Sequence, residues 1–256
     1  MQIAVGFSGA IIIALLAYRA HALSASGALA AVFVGGSIFA FGGASAAIVL
    51  IGFFISGSVL SRLNEHDHGK RDWKQVLANG LIPSLAVVLL ALRHDLRPEA
   101  TLLFLGSLAT ATADTWATEF GKRFGSRVYD CVSLRPMQKG LSGGVSFVGT
   151  LASIAGAVFI AALSLVPVPL DEGLCGLIFV KVLLVVPIAG FCGAMIDSII
   201  GSKLQVKYRT ASGEITEEYC EGAIRISGLR SIGNNATNLI ATLLGGIVAV
   251  GISDWF

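Results

Sequence analysis

The stretch from Gly143 to Val166 reads GGVSFVGTLASIAGAVFIAALSLV, 24 residues without a charged side chain. An α-helix needs about 20 apolar residues to cross the hydrocarbon core of a bilayer, so this run is long enough. Similar runs recur along the chain. They predict eight transmembrane helices, at residues 3–20, 23–41, 44–60, 77–92, 100–118, 143–166, 174–199 and 233–252. The first three are short and closely spaced, which leaves open that one of them is re-entrant.

The composition supports a membrane protein. Hydrophobic residues make up 55% of the 256 residues, and charged residues make up 13%, against about 25% in soluble domains. This excludes a water-soluble domain and a disordered chain. A transmembrane barrel would show alternating segments of about ten residues instead of continuous apolar runs. We therefore predict an all-α polytopic membrane helix bundle, a single integral membrane domain over residues 1–256.

The basic residues predict the orientation of the chain. Fifteen of the eighteen Lys and Arg residues lie in the segments 19–26, 61–76, 119–142 and 200–232, which alternate with the other connections. The positive-inside rule places these segments in the cytoplasm and both termini outside. We expect a cell (inner) membrane protein with long cytoplasmic loops at 61–76, 119–142 and 200–232. A net charge of +2 without a basic tail predicts no nucleic-acid partner, and the oligomeric state stays open.

Acidic side chains interrupt two of the apolar runs near their predicted cytoplasmic ends. Asp114 and Asp197 lie on separate helices, and Glu119 follows Asp114. A charged group within a span costs at least a few kcal/mol, so it calls for a partner or a function. Two carboxylates without a nearby His or Cys favour Mg²⁺ over zinc. The alternative is that each Asp forms hydrogen bonds between helices.

Small residues accompany both carboxylates at helical spacing. They allow close approach of a second helix or of a ligand. Thr110, Asp114, Thr118 and Lys122 form a polar stripe, and the small residues beside the acids are Ala113, Ala117, Gly121, Gly125, Gly193 and Gly201.

A glycine-rich segment, Lys139-Gly140-Leu141-Ser142-Gly143-Gly144-Val145-Ser146, leads into the apolar run that begins at Gly143. Backbone N–H groups at a helix N-terminus can bind phosphate, and Lys139 and Arg135 would add positive charge. The order Gly-Lys-[Ser/Thr] of a Walker A loop is missing. A purely structural glycine-rich helix entry is the alternative.

Three asparagines, Asn234, Asn235 and Asn238, open the last predicted span. One of them suffices as an N-cap, and the others can bind a nucleotide or metal-bound water. The charged loop before them is expected to be solvated, with Gln205 and Lys203 best placed to reach a site. His66-Asp67-His68 is likewise expected to be a solvated loop.

Taken together, these elements resemble the membrane phytyl-phosphate kinase family, also called the transmembrane protein 19 family. The resemblance covers most of the chain from Leu23 onward. It is strongest at residues 113–119 (ADTWATE), 143–146 (GGVS), 197–205 (DSIIGSKLQ) and 234–238 (NNATN). The spacing from Asp114 through Gly121 to Gly125 is also similar to CTP-using membrane enzymes, the polyprenol kinases and CDP-diacylglycerol synthases. The chain departs from the family at Leu141-Ser142, where Thr-Asn is expected.

The resemblance implies phosphorylation of an isoprenoid monophosphate, such as phytyl phosphate, to the diphosphate, with CTP as donor and Mg²⁺ as cofactor. It implies Asp114 and Asp197 as metal ligands and, with Lys139, as catalytic residues. Nucleotide-binding residues would be Thr115, Glu119, Lys122, Arg123, Gly140, Ser142, Gly143, Gly144, Ser146, Ser198, Gln205, Asn234, Asn235 and Asn238. The lipid tail would lie along small-residue faces such as Gly35-Gly36 and Gly149–Gly156. A cytidylyltransferase that makes a CDP-lipid and a membrane transporter are the alternatives.

Overall fold

The computed structural model describes residues 2–64, 69–166 and 179–256. Within these residues the chain forms seven α-helices, which confirms the predicted polytopic helical bundle. The segment His66–His68 and the start of the span predicted at 174–199 lie outside the described residues. The helices are α1 Gln2–Arg19, α2 Ala25–Leu63, α3 Trp73–Leu92, α4 Arg97–Phe124, α5 Phe147–Ser164, α6 Phe179–Lys203 and α7 Asn234–Ile252.

The spans predicted at 23–41 and 44–60 belong to one element, α2, which is broken at Gly43 (φ 78°, ψ −170°). This φ is strained for any residue with a Cβ atom. Gly27 and Gly57 lie 30 positions apart in α2, yet both pack against Arg71, so α2 folds back into two antiparallel arms, 25–42 and 44–63. Each arm is about 27–30 Å long, which matches the hydrocarbon core and disfavours a re-entrant segment.

Within the described residues, six helices are long and apolar enough to cross a membrane, namely α1, α2, α3, α5, α6 and α7. α4 is more polar, with Asp114 and several threonines, but it is the central helix of the bundle. It packs against α2, α3, α5, α6 and α7, and nearly every residue from Ala100 to Ala113 is buried. A helix surrounded by protein needs less apolar surface than one that faces lipid.

Short strands shape the two long polar connections. β1 (Tyr129–Asp130) pairs antiparallel with β2 (Gly144–Val145), and β3 (Lys207–Arg209) lies between β4 (Ile215–Thr216) and β5 (Ile224–Ser227). Helical structure extends into two of the predicted cytoplasmic segments, because α4 continues to Phe124 and α6 continues to Lys203. α5 begins at Phe147, four residues later than predicted. Gly143 has a non-helical φ of +87°, and Ser146 is the N-cap whose Oγ accepts a hydrogen bond from the Gly149 N–H.

Candidate functional site

A polar cavity of about 820 Å³ opens at the end of the bundle where the predicted cytoplasmic segments meet. The C-terminal half of α4, the end of α6 and the start of α7 form its walls, together with the segment 139–146. Most of the residues predicted for the site line this one cavity: Asp114, Thr115, Glu119, Lys122, Lys139, Gly140, Ser142, Gly143, Gly144, Ser146, Asp197, Ser198, Asn234, Asn235 and Asn238.

Asp114 reaches the cavity from the central helix. It is half-buried, one position beyond the fully buried part of α4. Thr118 and Lys122 follow it along the same wall, as the helical spacing predicts. Thr110, the first residue of the predicted polar stripe, is instead buried against Gly193 of α6 and Gly245 of α7. Of the four residues of the predicted stripe, Thr110 packs between helices, and the other three line the cavity.

Asp197 lies on α6 and is only 8% exposed. The Asn238 amide, in the orientation that satisfies its neighbours, donates to Asp197 Oδ2 at 3.2 Å and to the Asn234 carbonyl at 3.0 Å. The glycines on either side of Asp197 mark close packing: Gly193 contacts Thr110, and Gly201 contacts Ser142 and Gly143. The asparagine thus orients a carboxylate on a stretch of α6 that packs against α4 and the glycine-rich segment.

The small residues of α4 face α5. A Cβ atom at Gly149 would approach the Ala117 carbonyl at 3.0 Å, and one at Gly156 would approach the Thr112 carbonyl at 3.0 Å. Helix packing thus occupies the face Gly149–Gly156, which was expected to hold the lipid tail. Gly36 is covered in the same way by the ring of Phe7, while Gly35 borders a second cavity.

The glycine-rich segment is tied down by an acidic side chain. The Ser142 N–H donates to Glu217 Oε1 at 2.5 Å, and the Ser142 hydroxyl donates to Glu217 Oε2 at 2.8 Å. The Ser142 N–H, which was predicted to bind phosphate, therefore donates to Glu217 instead. Because α5 starts at Phe147, the glycines lie in the loop and in β2, before the helix N-terminus.

The loop before α7 was expected to be solvated, but one of its charged residues is buried. Lys207 is 7% exposed, and its Nζ donates to the Ser142 carbonyl at 2.9 Å. Burial lowers the pKa of Lys207, and the neighbouring Glu217 opposes this effect. Lys203, which was expected to reach the site, is exposed.

Gln205 lies behind the cavity wall and is buried. Its Nε2 donates to Ser142 Oγ at 2.9 Å and to Glu217 Oε2 at 2.8 Å, and its Oε1 accepts from Thr237 at 3.2 Å. The residue thus joins the glycine-rich segment to α7. Gln205 therefore lies beside the site, but its side chain does not line the cavity.

Two more of the predicted residues are engaged with α2. Glu119 is buried and accepts from Ser61 Oγ at 2.9 Å and from the amide of Asn64. The Arg123 guanidinium lies outside the cavity lining, where it donates to the Leu63 carbonyl and stacks over Phe124. Both side chains fasten α4 to the second arm of α2.

Asp130 fastens the loop 126–142 to the end of α6. Its Oδ2 accepts from Ser202 Oγ at 2.6 Å, and its Oδ1 accepts from the backbone of Ser133. These hydrogen bonds hold the pKa of Asp130 well below its ordinary value.

The carboxylates of the cavity are oxygen donors, the ligand type that Mg²⁺ takes. Among the described residues no group of three or more His, Cys, Asp or Glu side chains could hold a metal ion. Asp114 of α4 and Asp197 of α6 are two carboxylates that line the same cavity. Mg²⁺ is commonly held by one or two carboxylates together with water and substrate phosphates.

Sequence reasoning missed several residues of the site. Arg71, Ser61 and Glu218 line the cavity. Glu217 also lines it and binds Ser142 of the glycine-rich segment. Arg71 and Glu217 lie in stretches of mixed charge, which are typical of solvated loops. The capping box of Asp72 and Gln75 at the start of α3 was a local signal that the backbone beside Arg71 is ordered.

The fold and the cavity define a polytopic integral membrane protein with one polar site at an end of its helix bundle. The chain belongs to the family described as integral membrane protein DUF92, whose model matches residues 8–246. This match confirms the family resemblance drawn from the four motifs.

Relatives of the chain include proteins of a plant and of an archaeon. It is 27% identical to Protein PGR of Arabidopsis thaliana over 91% of this chain and 90% of that protein. It is 28% identical to the uncharacterized membrane protein MJ0933 of Methanocaldococcus jannaschii over 93% and 89% of the two chains. Identity to the chloroplastic Protein VTE6 of Arabidopsis thaliana is 23%, over 89% of this chain and 64% of that protein. No solved structure matches the chain.

Proposed function

We propose that this protein transfers a phosphoryl group from CTP to an isoprenoid monophosphate, forming the diphosphate. The observation that carries the proposal is the meeting of Asp114, Asp197 and Asn238 with Lys122 and Lys139 in one cavity of about 820 Å³. The resemblance of the four motifs to phytyl-phosphate kinases supports the same reaction. By the positive-inside rule, the cavity opens to the cytoplasm, where CTP is available.

Asp114 and Asp197 would hold Mg²⁺, and Asn238 keeps the Asp197 carboxylate oriented toward the cavity. A bound Mg²⁺ ion would neutralise part of the negative charge of the phosphates. Lys122 and Lys139 supply further positive charge at the cavity wall. A phosphoryl transfer depends mainly on such positioning and charge stabilisation.

The remaining wall residues would bind the nucleotide. Ser198, Asn234 and Asn235 offer hydrogen-bond donors and acceptors. The backbone of the segment 140–146 offers N–H groups apart from those of Ser142 and Gly144, which donate to Glu217 and to the Leu141 carbonyl. We assign Glu119, Arg123 and Gln205 to positioning, because their side chains hold α2 and the loops in place.

The reaction needs no buried general base. A phosphate monoester has a second pKa of about 6, so the acceptor is already largely a dianion at neutral pH. One of its oxygens attacks the γ-phosphorus of CTP and forms a P–O bond. The bond from that phosphorus to the β–γ bridging oxygen breaks, and CDP leaves with the electron pair.

The test is a purified-protein assay with Mg²⁺, a prenyl monophosphate and CTP labelled in separate reactions at the α- or the γ-phosphate. Label from the γ-position in the lipid product is expected. Label from the α-position would show cytidylyl transfer instead, and flux across liposomes without CTP turnover would support a transporter.

Variants link the reaction to the cavity. We expect Asp114→Asn and Asp197→Asn each to lower turnover by about 10²-fold or more, the scale of removing one strong electrostatic contact. Asp95→Asn is the matched control, because Asp95 is exposed and pairs with Arg93 outside the cavity. Near-wild-type turnover in Asp114→Asn, with the bundle intact, would refute the assignment.

A further inference from the structure

A second cavity of about 270 Å³ lies between α1, the two arms of α2 and α3. Its wall is almost entirely apolar and includes Ala10, Ile13, Ala47, Ile51 and Phe54. Ile13, one of the wall residues, is 42% exposed, so the wall at α1 is one side chain thick and reaches the outer surface of the bundle. None of the residues proposed for the nucleotide and the metal ion lines this cavity.

The two cavities adjoin each other. Arg71, Gln75 and Asn79 line both of them. These three residues are the polar part of an otherwise apolar wall, and they lie at the start of α3 or just before it. A molecule that occupies both cavities would have a polar group at Arg71 and an apolar part between the helices.

Arg71 is held at this junction by its neighbours. Its guanidinium lies over the rings of Phe53 and Phe54, 5.8 and 5.7 Å from their centroids. At Gly57, a Cβ atom would come within 2.8 Å of Arg71 Nη2 and 3.2 Å of Thr115 Cγ2. Arg71 therefore lies close to Thr115, the residue next to Asp114. Guanidinium groups bind phosphate well because of their planar, forked donors.

From this arrangement we infer that the apolar cavity binds the hydrocarbon chain of the lipid phosphate and that Arg71 binds its phosphate. The identification of the lipid as an isoprenoid monophosphate rests on the proposed function. An engineered cavity of about 150 Å³ holds one benzene molecule. In proportion, 270 Å³ holds roughly ten carbon atoms, and a longer chain would extend past the wall at α1 into the bilayer.

Photo-crosslinking tests the inference without requiring turnover. The probe is farnesyl monophosphate with a diazirine near the middle of its chain, within the length that the cavity holds, added to the purified protein in nanodiscs. Crosslinks are expected within residues 6–17 and 31–54, mapped by mass spectrometry, and unlabelled farnesyl monophosphate should compete. Crosslinks confined to the outer faces of α5 and α6 would overturn the inference.

Gly9→Phe fills the cavity. Gly9 lines it, and a Cβ atom there meets nothing within 4 Å, so the backbone can accept the ring. This variant should lose most of the crosslinks. Gly251→Phe is the matched control, because a Cβ atom at Gly251 also meets nothing within 4 Å and lies outside this cavity. Ala31→Leu narrows the cavity from the opposite wall should Gly9→Phe not fold.

The phosphate contact has a separate test. Arg71→Gln should weaken binding of farnesyl monophosphate by about 10- to 150-fold, the loss expected for a hydrogen bond to a charged group. Binding of farnesol, which lacks the phosphate, should not change. Equal loss for both compounds would contradict a phosphate contact at Arg71.

The outcomes separate the two proposals. Crosslinking in the cavity without transfer of label from CTP would support the lipid site and refute the kinase reaction. Transfer of label from the γ-position, with crosslinks that Gly9→Phe does not reduce, would refute the lipid site and support the reaction.

Discussion

The carboxylate of Glu217 accepts two hydrogen bonds from Ser142, one from the backbone N–H at 2.5 Å and one from the hydroxyl at 2.8 Å. The residues are 75 positions apart. Through this contact the segment that follows β4 holds the glycine-rich segment beside α6. The conformation of the glycine-rich segment, which lines the cavity, therefore depends on an acidic residue far away in the sequence.

Glu217→Ala should destabilise the protein. The variant leaves the Ser142 N–H and one donor of Gln205 without an acceptor, at a cost of about 1–3 kcal/mol each. We expect the Tm of the detergent-solubilised protein to fall by several degrees. Glu214→Ala is the control, since Glu214 is an exposed acid in the same region. Equal Tm values for the two variants would show that the contact contributes nothing.

Asn238→Ala should weaken the response to Mg²⁺. The amide of Asn238 orients Asp197, and loss of such a supporting contact typically costs 10–100-fold in metal affinity or activity. In the CTP assay, the Mg²⁺ concentration for half-maximal turnover should rise about tenfold. An unchanged Mg²⁺ dependence would contradict the orienting role.

Gly193→Ala should destabilise the contact between α4 and α6. Its new methyl group would overlap the Thr110 side chain, and such overpacking costs about 1–3 kcal/mol. In a double-mutant cycle with Thr110→Ala, the combined loss of stability should be smaller than the sum of the single losses. Gly9→Ala, where the methyl group meets nothing within 4 Å, should be neutral or stabilising. Strict additivity of Gly193→Ala and Thr110→Ala would show that the two residues are not coupled.

Cys220 offers a test of orientation. It is exposed in the segment after β4, on the side of the bundle that the basic residues predict to be cytoplasmic. With the other cysteines replaced by Ser, a membrane-impermeant maleimide should label Cys220 in inverted vesicles but not in intact cells. Trp255→Cys in a protein without native cysteines should show the opposite pattern, because Trp255 is exposed beyond the far end of α7. Labelling of Cys220 in intact cells would reverse the proposed topology.

Some features of the site could be predicted without the fold. Asp114 and Asp197 stand out because an acid in an apolar run is costly, and the structure places both on one cavity. The asparagines were recognisable because three of them exceed the needs of an N-cap. The expectation that one of them caps the helix was wrong, since the N-cap of α7 is Gly233. Arg71 and Glu217 could not be recognised, since a charge in a mixed-charge stretch looks the same whether water or a cavity surrounds it.

The sequence by itself determined the class of protein and the transmembrane segments, because the bilayer imposes a length of about 20 apolar residues on every helix. It also determined which connections share one end of the bundle, through the distribution of Lys and Arg. Only the tertiary structure decided that Gly43 folds α2 back on itself, that Gly149–Gly156 is covered by α4, and that Glu217 holds Ser142. Those outcomes depend on which surfaces meet across the bundle, and periodicity along one helix carries no information about the partner that it packs against.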